Sequence, residues 1–171
     1  MKKLDPIFNG LAAAFVIGAL ALLTFESPLG VWLMFSFGST ALILFVYHDS
    51  EFAKPKNVFF GHLISVLIGI SFNHYMGISA ISLGLSVALC VTLMMYLKIV
   101  HPPAAANPII ALFADVSFEF ILFPVISGCI VLIVSSSFIN RTILERKPSN
   151  LILRSKNLRS KRKKTKKNKA K

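Results

Sequence analysis

Charged residues are scarce in most of this sequence. Only 15% of the 171 residues are charged and 55% are hydrophobic, whereas about a quarter of a soluble domain is charged. Seven acidic residues stand against 15 phenylalanines alone. Residues 141–171 hold 14 of the 19 basic residues and one acid, while residues 1–140 hold five bases and six acids. This shortage excludes a soluble enzyme domain and a coiled coil, and indicates an apolar membrane domain (1–140) followed by a basic tail (141–171).

Cysteine is also rare, and the common enzyme motifs are missing. Cys90 and Cys129 lie inside apolar runs, without the spacing of metal ligands or of a disulfide framework, so we interpret both as small buried hydrophobic residues. The sequence contains no zinc-protease His-Glu-x-x-His run, no Gly-x-Ser-x-Gly elbow and no P-loop. We therefore expect no disulfide-stapled module, no metal, no cofactor and no enzymatic activity.

Long apolar runs are abundant instead. A helix rises about 1.5 Å per residue and the hydrocarbon core is about 30 Å thick, so a membrane span needs about 20 apolar residues. Backbone polar groups in lipid must be satisfied within the segment, so each run is predicted to be helical. We expect an all-α polytopic membrane protein with five transmembrane helices. The predicted spans are residues 7–25, 29–47, 58–72, 78–100 and 118–139.

The segment between the last two spans, residues 101–117, is apolar but short, and it contains three prolines. A helix could begin in it at Pro102 or Pro103, because proline is tolerated in a first turn. It could also begin at Pro108 with Asn107 as its N-cap, which we favour because Pro108 would interrupt a helix begun earlier. Both starts predict a re-entrant or broken half-helix with unpaired N–H groups at its beginning.

The distribution of basic residues leaves the number of crossings open. The tail follows the last span closely and is expected to be cytoplasmic, because basic residues near membrane helices stay on that side. Five crossings would then place Lys54, Lys56 and Lys98 outside, against the same rule. An even number, with residues 101–117 crossing or one of the five runs failing to cross, would bring the amino terminus and the tail to one side.

Three stretches resemble the signature of the HPP family of integral membrane proteins. The run His101-Pro-Pro-Ala-Ala-Ala-Asn-Pro108 follows a long apolar helix. Phe37-Gly-Ser-Thr-Ala41 resembles the family's Phe-Gly-Ala-Ser-Ala element. Lys54-Pro-Lys-Asn57 with Gly61-His62 resembles its Gln-Pro-Arg-Asn element followed by Gly-His. The resemblance implies four or more membrane helices and, because members are associated with nitrite transport, a transporter or channel for a small inorganic anion, nitrite being the first candidate.

Eight residues of these stretches are candidates for contacting the anion. A protonated histidine attracts an anion and couples its movement to a proton, small residues let an ion approach the backbone, and amides and hydroxyls donate hydrogen bonds. Helix packing explains the same residue types, so both interpretations stay open at this point. The candidates are His101, Pro102, Pro103, Ala104, Asn107, His62, Ser39 and Thr40.

Two charged pairs flank these stretches. Lys54 and Lys56 are expected to anchor the helix of His62 among lipid head groups, or to form a positive mouth that recruits anions. Asp115 and Glu119 lie four residues apart at the start of the last span and are expected at the membrane interface. If they lined the pathway, their charge would repel an anion and would favour a cation or a proton as the transported species.

The basic tail cannot bury a core and is expected to be disordered. Its expected partner is anionic lipid rather than a specific nucleic acid, because no aromatic residue after Phe138 is available to stack on bases. We expect a multi-pass protein in the plasma (inner) membrane of a prokaryote, and the small size of the membrane domain favours a homo-oligomer. The alternative function is a non-transport membrane scaffold whose tail binds anionic lipid, RNA or a partner protein.

Overall fold

The structure is a computed structural model that describes residues 5–28 and 30–144, so the predictions for the basic tail concern residues that lie almost entirely outside it. In the described residues the chain is helical. The helices are α1 (Asp5–Glu26), α2 (Ser36–Val46), α3 (Pro55–Met76), α4 (Ala80–Tyr96), α5 (Asn107–Phe113) and α6 (Ser127–Phe138). Short 3-10 helices cover Glu51–Ala53 and Pro102–Ala106, and π-helical turns cover Ile121–Ile126 and Ile139–Ile143.

Three helices are long and apolar enough to cross a membrane alone. They are Pro6–Glu26, Pro55–Met76 and Ile121–Ile143, the last being α6 with its flanking π turns. Three apolar helices are shorter, namely Ser36–Val46, Ala80–Tyr96 and Pro102–Phe113. The last of these joins a 3-10 helix to α5, and we call it the HPP segment. The chain is thus an all-α membrane protein with a short helix at the HPP motif, as the sequence predicts.

The second predicted span, residues 29–47, is wrong as a full-length helix. Only Ser36–Val46 is helical, and its 11 residues rise about 17 Å, little more than half the hydrocarbon thickness. The residues before it fold back on α1, where the Thr24 hydroxyl accepts the N–H groups of Trp32 and of the next residue at 2.9 and 3.0 Å. These local hydrogen bonds compete with the helix that hydropathy alone predicts.

Helix α3 is the central helix of the bundle and packs against α4, the HPP segment and α6. Its small residues Gly61, Ser65 and Gly69 recur every four positions and therefore share one face. A Cβ atom added at Gly69 would lie 2.6 Å from the Cβ of Ala111 and 2.8 Å from the Cα of Pro108. The two segments are therefore in backbone contact, which small residues at this spacing permit between membrane helices.

Successive segments run in alternating directions. The start of α1 and the end of α6 meet, because Phe8 and Ile143 line the same cleft. The HPP segment begins beside Gly61, in the first half of α3, and is followed by Asp115, whose carboxylate accepts a hydrogen bond from Asn73 in the last turn of α3. The HPP segment therefore runs parallel to α3 instead of turning back. Six segments, an even number, bring the start of α1 and the end of α6 to one side.

The two ends of the bundle differ in charge. Every Lys and Arg among residues 5–28 and 30–144 lies at the end where α1 begins, which we call the basic end. These residues are Lys54, Lys56, Lys98 and Arg141. Within the described part of the chain, the opposite end carries Glu26, Asp115 and Glu119 and no base, whereas Asp5, Asp49 and Glu51 lie at the basic end with the four bases. With six segments, all four basic residues lie on one side of the membrane. Five spans would have placed Lys54, Lys56 and Lys98 on the side opposite the tail.

Candidate functional site

A cluster of fully buried polar side chains lies where α2, α3 and the HPP segment meet. Its members come from three separate parts of the sequence, and none of their surface is exposed. Polar groups inside an apolar membrane domain are costly unless they find partners within the protein. We call this cluster the polar network, and its members are Thr40, His62, Ser65, His101 and Asn107.

Thr40 connects the two histidines of the polar network. Its Oγ1 atom lies 2.9 Å from His62 Nε2 and 3.0 Å from His101 Nε2. The two imidazole rings meet edge to face with their centroids 5.0 Å apart. Phe37 packs edge to face against His62, at 5.3 Å between ring centroids. One hydroxyl of α2 therefore links a ring of α3 to the ring that precedes the HPP segment.

The tautomer of His101 follows from the hydrogen-bond partner of its Nδ1 atom. His101 Nδ1 lies 2.8 Å from the backbone carbonyl oxygen of Phe52. A carbonyl oxygen only accepts, so Nδ1 carries the proton and Nε2 is the acceptor in the neutral ring. His101 Nε2 is therefore ready to accept the proton of the Thr40 hydroxyl.

The opposite tautomer is assigned to His62 through Ser65 and Asn107. The Ser65 hydroxyl donates its one proton to the His62 carbonyl oxygen at 2.9 Å, and so it accepts from the Asn107 amide nitrogen at 2.8 Å. The same amide nitrogen lies 2.8 Å from His62 Nδ1, which must then be the acceptor. In the neutral ring the proton of His62 is on Nε2, which faces Thr40.

These bonds form one chain of donors that all point in the same direction. Asn107 donates to His62, His62 donates to Thr40, Thr40 donates to His101, and His101 donates to the carbonyl of Phe52. Hydrogen-bonded chains of this kind polarise one another and carry protons between their members. The arrangement links two titratable side chains through a hydroxyl that both donates and accepts.

The hydroxyl proton of Thr40 has two acceptors within reach. This allows His101 to take up an additional proton without leaving Thr40 unpaired. Its Oγ1 atom is 3.0 Å from the carbonyl oxygen of Ser36 as well as 3.0 Å from His101 Nε2. When His101 is protonated on both nitrogens, its Nε2–H donates to Thr40, and the hydroxyl rotates to donate to Ser36. Both protonation states therefore leave these atoms paired without movement of any heavy atom.

The start of the HPP segment differs from the prediction. Asn107 is not an N-cap: the residue before α5 is Ala106, which is itself helical, and the Asn107 side chain contacts His62 and Ser65 instead. The segment begins at Pro102, the alternative that we did not favour. Its first two residues are prolines without N–H groups, and the N–H of Ala104 bonds to the carbonyl oxygen of His101 at 3.0 Å. The predicted row of unpaired N–H groups is therefore absent from these first three positions.

The structure separates the eight predicted site residues into three groups. Thr40, His62, His101 and Asn107 meet in the polar network. Pro103 and Ala104 are buried beside it, and Ala104 packs where Gly61 leaves space on α3. Ser39 and Pro102 are exposed on the surface of the bundle and take no part in the network.

Sequence reasoning missed two supporting residues, Ser65 and Asn57. Ser65 lies three residues after His62 on the small-residue face of α3, a spacing that was visible in the sequence. Asn57 donates to the carbonyl oxygens of Glu51 at 2.9 Å and Val100 at 3.3 Å. It thereby joins the short 3-10 helix that carries the Phe52 carbonyl to the loop that carries His101. Lys54, by contrast, pairs with Glu51 at the exposed basic end.

A cleft of about 480 Å³ opens at the end opposite the basic residues. It is lined by the loop before α2 and by the start of the last membrane segment, including Gly30, Glu119 and Phe123. Asp115 does not line this cleft and is bonded to Asn73. Glu119 is thus the acidic side chain that a solute entering this cleft would pass.

Potential metal ligands do not cluster in residues 5–28 and 30–144. No group of three or more His, Cys, Asp or Glu side chains in these ranges is arranged to hold a metal ion. Cys90 and Cys129 are free and buried, in agreement with their interpretation as small hydrophobic residues.

The family comparison agrees with the motifs that meet in the polar network. The family model for the HPP transmembrane region matches residues 2–149. The chain belongs to the HPP transmembrane family. In this HPP protein, the three stretches on which the resemblance rests supply Thr40, His62, and the pair His101 and Asn107, which are distant in sequence and adjacent in the fold.

Two transmembrane proteins of Dictyostelium discoideum are similar to this HPP protein. One is 26% identical over 125 residues, which cover 68% of this chain and 40% of the relative. The other is 26% identical over 113 residues, which cover 61% of this chain and 40% of the relative. The chain therefore spans about 40% of the length of the curated relatives that it matches. No solved structure gives a significant match.

Proposed function

We propose that this HPP protein transports a small inorganic anion, nitrite being the first candidate, across its membrane together with a proton. The observation that carries the proposal is the fully buried chain from His62 through Thr40 to His101. Ionisable residues inside a membrane domain are rare and usually mark the pathway of an ion or a proton. The family resemblance supports nitrite as the first anion to test.

The polar network provides a physical basis for coupling an anion to a proton. A neutral network has no net charge, and a proton taken up by His101 makes it cationic without breaking a hydrogen bond. A positive charge in a medium of low dielectric attracts an anion far more strongly than it would in water. Uptake of the proton therefore favours uptake of the anion, and the pair crosses with no net charge.

We also propose an orientation for the membrane domain. Lys54, Lys56, Lys98 and Arg141 all lie at the basic end, and basic loops near membrane helices remain cytoplasmic. The basic end would then face the cytoplasm of a prokaryotic cell from its inner membrane. Residues 145–171 would follow on the same side, where their positive charge favours contact with anionic lipid.

Labelling of introduced cysteines tests this orientation. Tyr75 and Lys98 are exposed at opposite ends of the bundle, whereas Cys90 and Cys129 are buried and give the wild-type protein a low background. In intact cells, a membrane-impermeant maleimide is expected to label Tyr75→Cys. Lys98→Cys is expected to be labelled only after the cells are permeabilised. The reverse pattern, or labelling of both in intact cells, would disprove the proposed orientation.

By the sequence argument, the charge of Glu119 beside the cleft favours a cation or a proton over an anion, so substitution of Glu119 is the test that distinguishes an anion from a cation as the transported species. Glu119 lines the cleft at the end opposite the basic residues, and its negative charge lowers the local concentration of anions. In liposomes containing purified protein, nitrite uptake should exceed the background of empty liposomes. We expect Glu119→Gln to raise that uptake roughly twofold to tenfold at low salt, and less at high salt.

Potassium and chloride uptake, measured beside nitrite, serve as controls for this experiment. A Glu119→Gln variant that takes up less potassium, with nitrite unchanged, would indicate a cation pathway and contradict the proposal. Absence of flux for every ion, with a proton gradient of either sign, would favour the alternative of a membrane scaffold.

A further inference from the structure

We propose that the transported anion is bound at the amino-terminal end of α2, with the indole N–H of Trp32 and the hydroxyl of Ser36 as its hydrogen-bond donors. This inference rests on the proposed function and deepens it, because it names where an anion is held. The sequence predicts an anion site at the start of the HPP segment, but the prolines there lack the N–H groups that would bind it. The start of α2 takes its place as the proposed binding position. The ligand class is a small oxyanion.

The first observation is that Ser36 and Trp32 have buried donor atoms without partners. Ser36 exposes 4% of its surface and its Oγ atom has no hydrogen-bond partner. The Nε1 atom of Trp32 is also buried and unpaired. An unsatisfied buried donor is costly, so each exception needs a physical explanation. An indole N–H only donates and a hydroxyl is able to donate, so an oxyanion, which only accepts, satisfies both.

The second observation is that α2 begins inside the bundle. The helix has 11 residues and starts ten residues after the end of α1, after the chain has folded back. No side chain caps its start, although the N–H of Phe37 bonds to the carbonyl oxygen of Met34 at 2.9 Å. The start of a helix carries partial positive charge, and half-helices in transporters direct such ends at anionic substrates.

The proposed position also connects the cleft to the polar network. The rings of Trp32 and Phe123 are in edge-to-face contact, with centroids 5.0 Å apart, and Phe123 lines the cleft. On the other side, the carbonyl oxygen of Ser36 is the second acceptor of the Thr40 hydroxyl. An anion at Ser36 would therefore lie one helical turn from Thr40, and Trp32, its second donor, contacts a residue that lines the cleft.

Trp32 makes this inference directly measurable, because it is the single tryptophan of the chain. Purified protein in nanodiscs is titrated with sodium nitrite at constant ionic strength while indole fluorescence is recorded. Binding beside Trp32 predicts a saturable change, whereas collisions in solution give an unsaturable, linear one. In Ser36→Ala we expect the half-saturating concentration to rise about tenfold to a hundredfold, as for loss of a hydrogen bond to a charged group.

Ser39→Ala is the matched control. Ser39 lies on the same helix and also donates to the Ser36 carbonyl oxygen, but it is exposed. It should keep the wild-type half-saturating concentration. A linear response in the wild type, or equal saturation in Ser36→Ala and the wild type, would overturn the inference. A second variant, Trp32→Phe, should raise the KM for nitrite flux.

The two proposals fail differently in these experiments. Nitrite flux without a saturable fluorescence change would remove the binding site and leave the transport proposal standing. A saturable change that weakens in Ser36→Ala, without flux in liposomes, would keep the binding site and remove the transport proposal.

Discussion

Thr40→Val is expected to lower nitrite flux about tenfold or more, because it removes the hydroxyl that joins the two histidines. Valine has nearly the same shape as threonine but no hydrogen-bonding atom. The substitution leaves His62 Nε2 and His101 Nε2 without their shared partner at 2.9 and 3.0 Å. Each unsatisfied buried group costs about 1–3 kcal/mol. Flux into liposomes, measured over a range of pH, is the readout.

Thr40→Ser is the matched control for this variant. Serine keeps the hydroxyl and loses only a methyl group, so flux and its pH dependence should stay close to those of the wild type. A purely structural role for Thr40 predicts a different result. Thr40→Val lowers the melting temperature under either role, but with a purely structural role its remaining flux would keep the wild-type pH dependence. That outcome would contradict the assignment of Thr40 as the link in a proton chain.

Gly69→Ala is expected to destabilise the protein, because the added methyl group meets the backbone of the HPP segment. The added Cβ would lie 2.6 Å from the Cβ of Ala111 and 2.8 Å from the Cα of Pro108, whereas carbon atoms in contact are about 3.5–4.0 Å apart. Backbone atoms cannot rotate away, so α3 and the HPP segment must separate. Overpacking of this kind costs about 1–3 kcal/mol, which lowers the melting temperature of a chain of this size by about 2–12 °C.

Gly84→Ala provides the comparison for that measurement. A Cβ at Gly84 meets no atom within 4 Å, and alanine is a better helix former than glycine by about 1 kcal/mol. Its melting temperature in detergent should equal or exceed that of the wild type. If Gly69→Ala melted at the wild-type temperature, the backbone contact between α3 and the HPP segment would be wrong. Separation of the two segments should also lengthen the 2.8 Å bond from Asn107 to Ser65 and reduce flux.

The candidate site was partly accessible from the sequence. His62 and His101 stood out because ionisable residues are expensive inside apolar runs, and Asn107 and Thr40 stood out by type and position. Ser65 was less visible, since a serine in an apolar helix usually serves packing. No sequence pattern could have identified the carbonyl of Phe52 as part of the site, because every residue has a backbone carbonyl. Only the fold brings this carbonyl to within 2.8 Å of His101.

Hydropathy predicted the wrong length for the second helix, because local hydrogen bonds hold its first residues in a non-helical conformation. Residues 29–47 are apolar enough to span a membrane, but the hydroxyl of Thr24 holds the N–H groups of Trp32 and its neighbour, and α2 begins only at Ser36. Asn107 failed as an N-cap for a related reason. An asparagine side chain caps a helix when no better partner exists, and here His62 and Ser65 provide one.

The sequence by itself determined that this is an all-helical membrane protein of the HPP type, because the transfer of apolar residues into lipid depends on composition and length alone. It also determined which polar residues are unusual in that setting. The tertiary structure decided which of them meet and how many segments alternate in direction. Those properties depend on contacts between distant residues, such as Gly69 with Pro108 and Thr40 with both histidines. No local pattern encodes such contacts, because hydrogen bonds and close packing act only between atoms that the fold has already brought together.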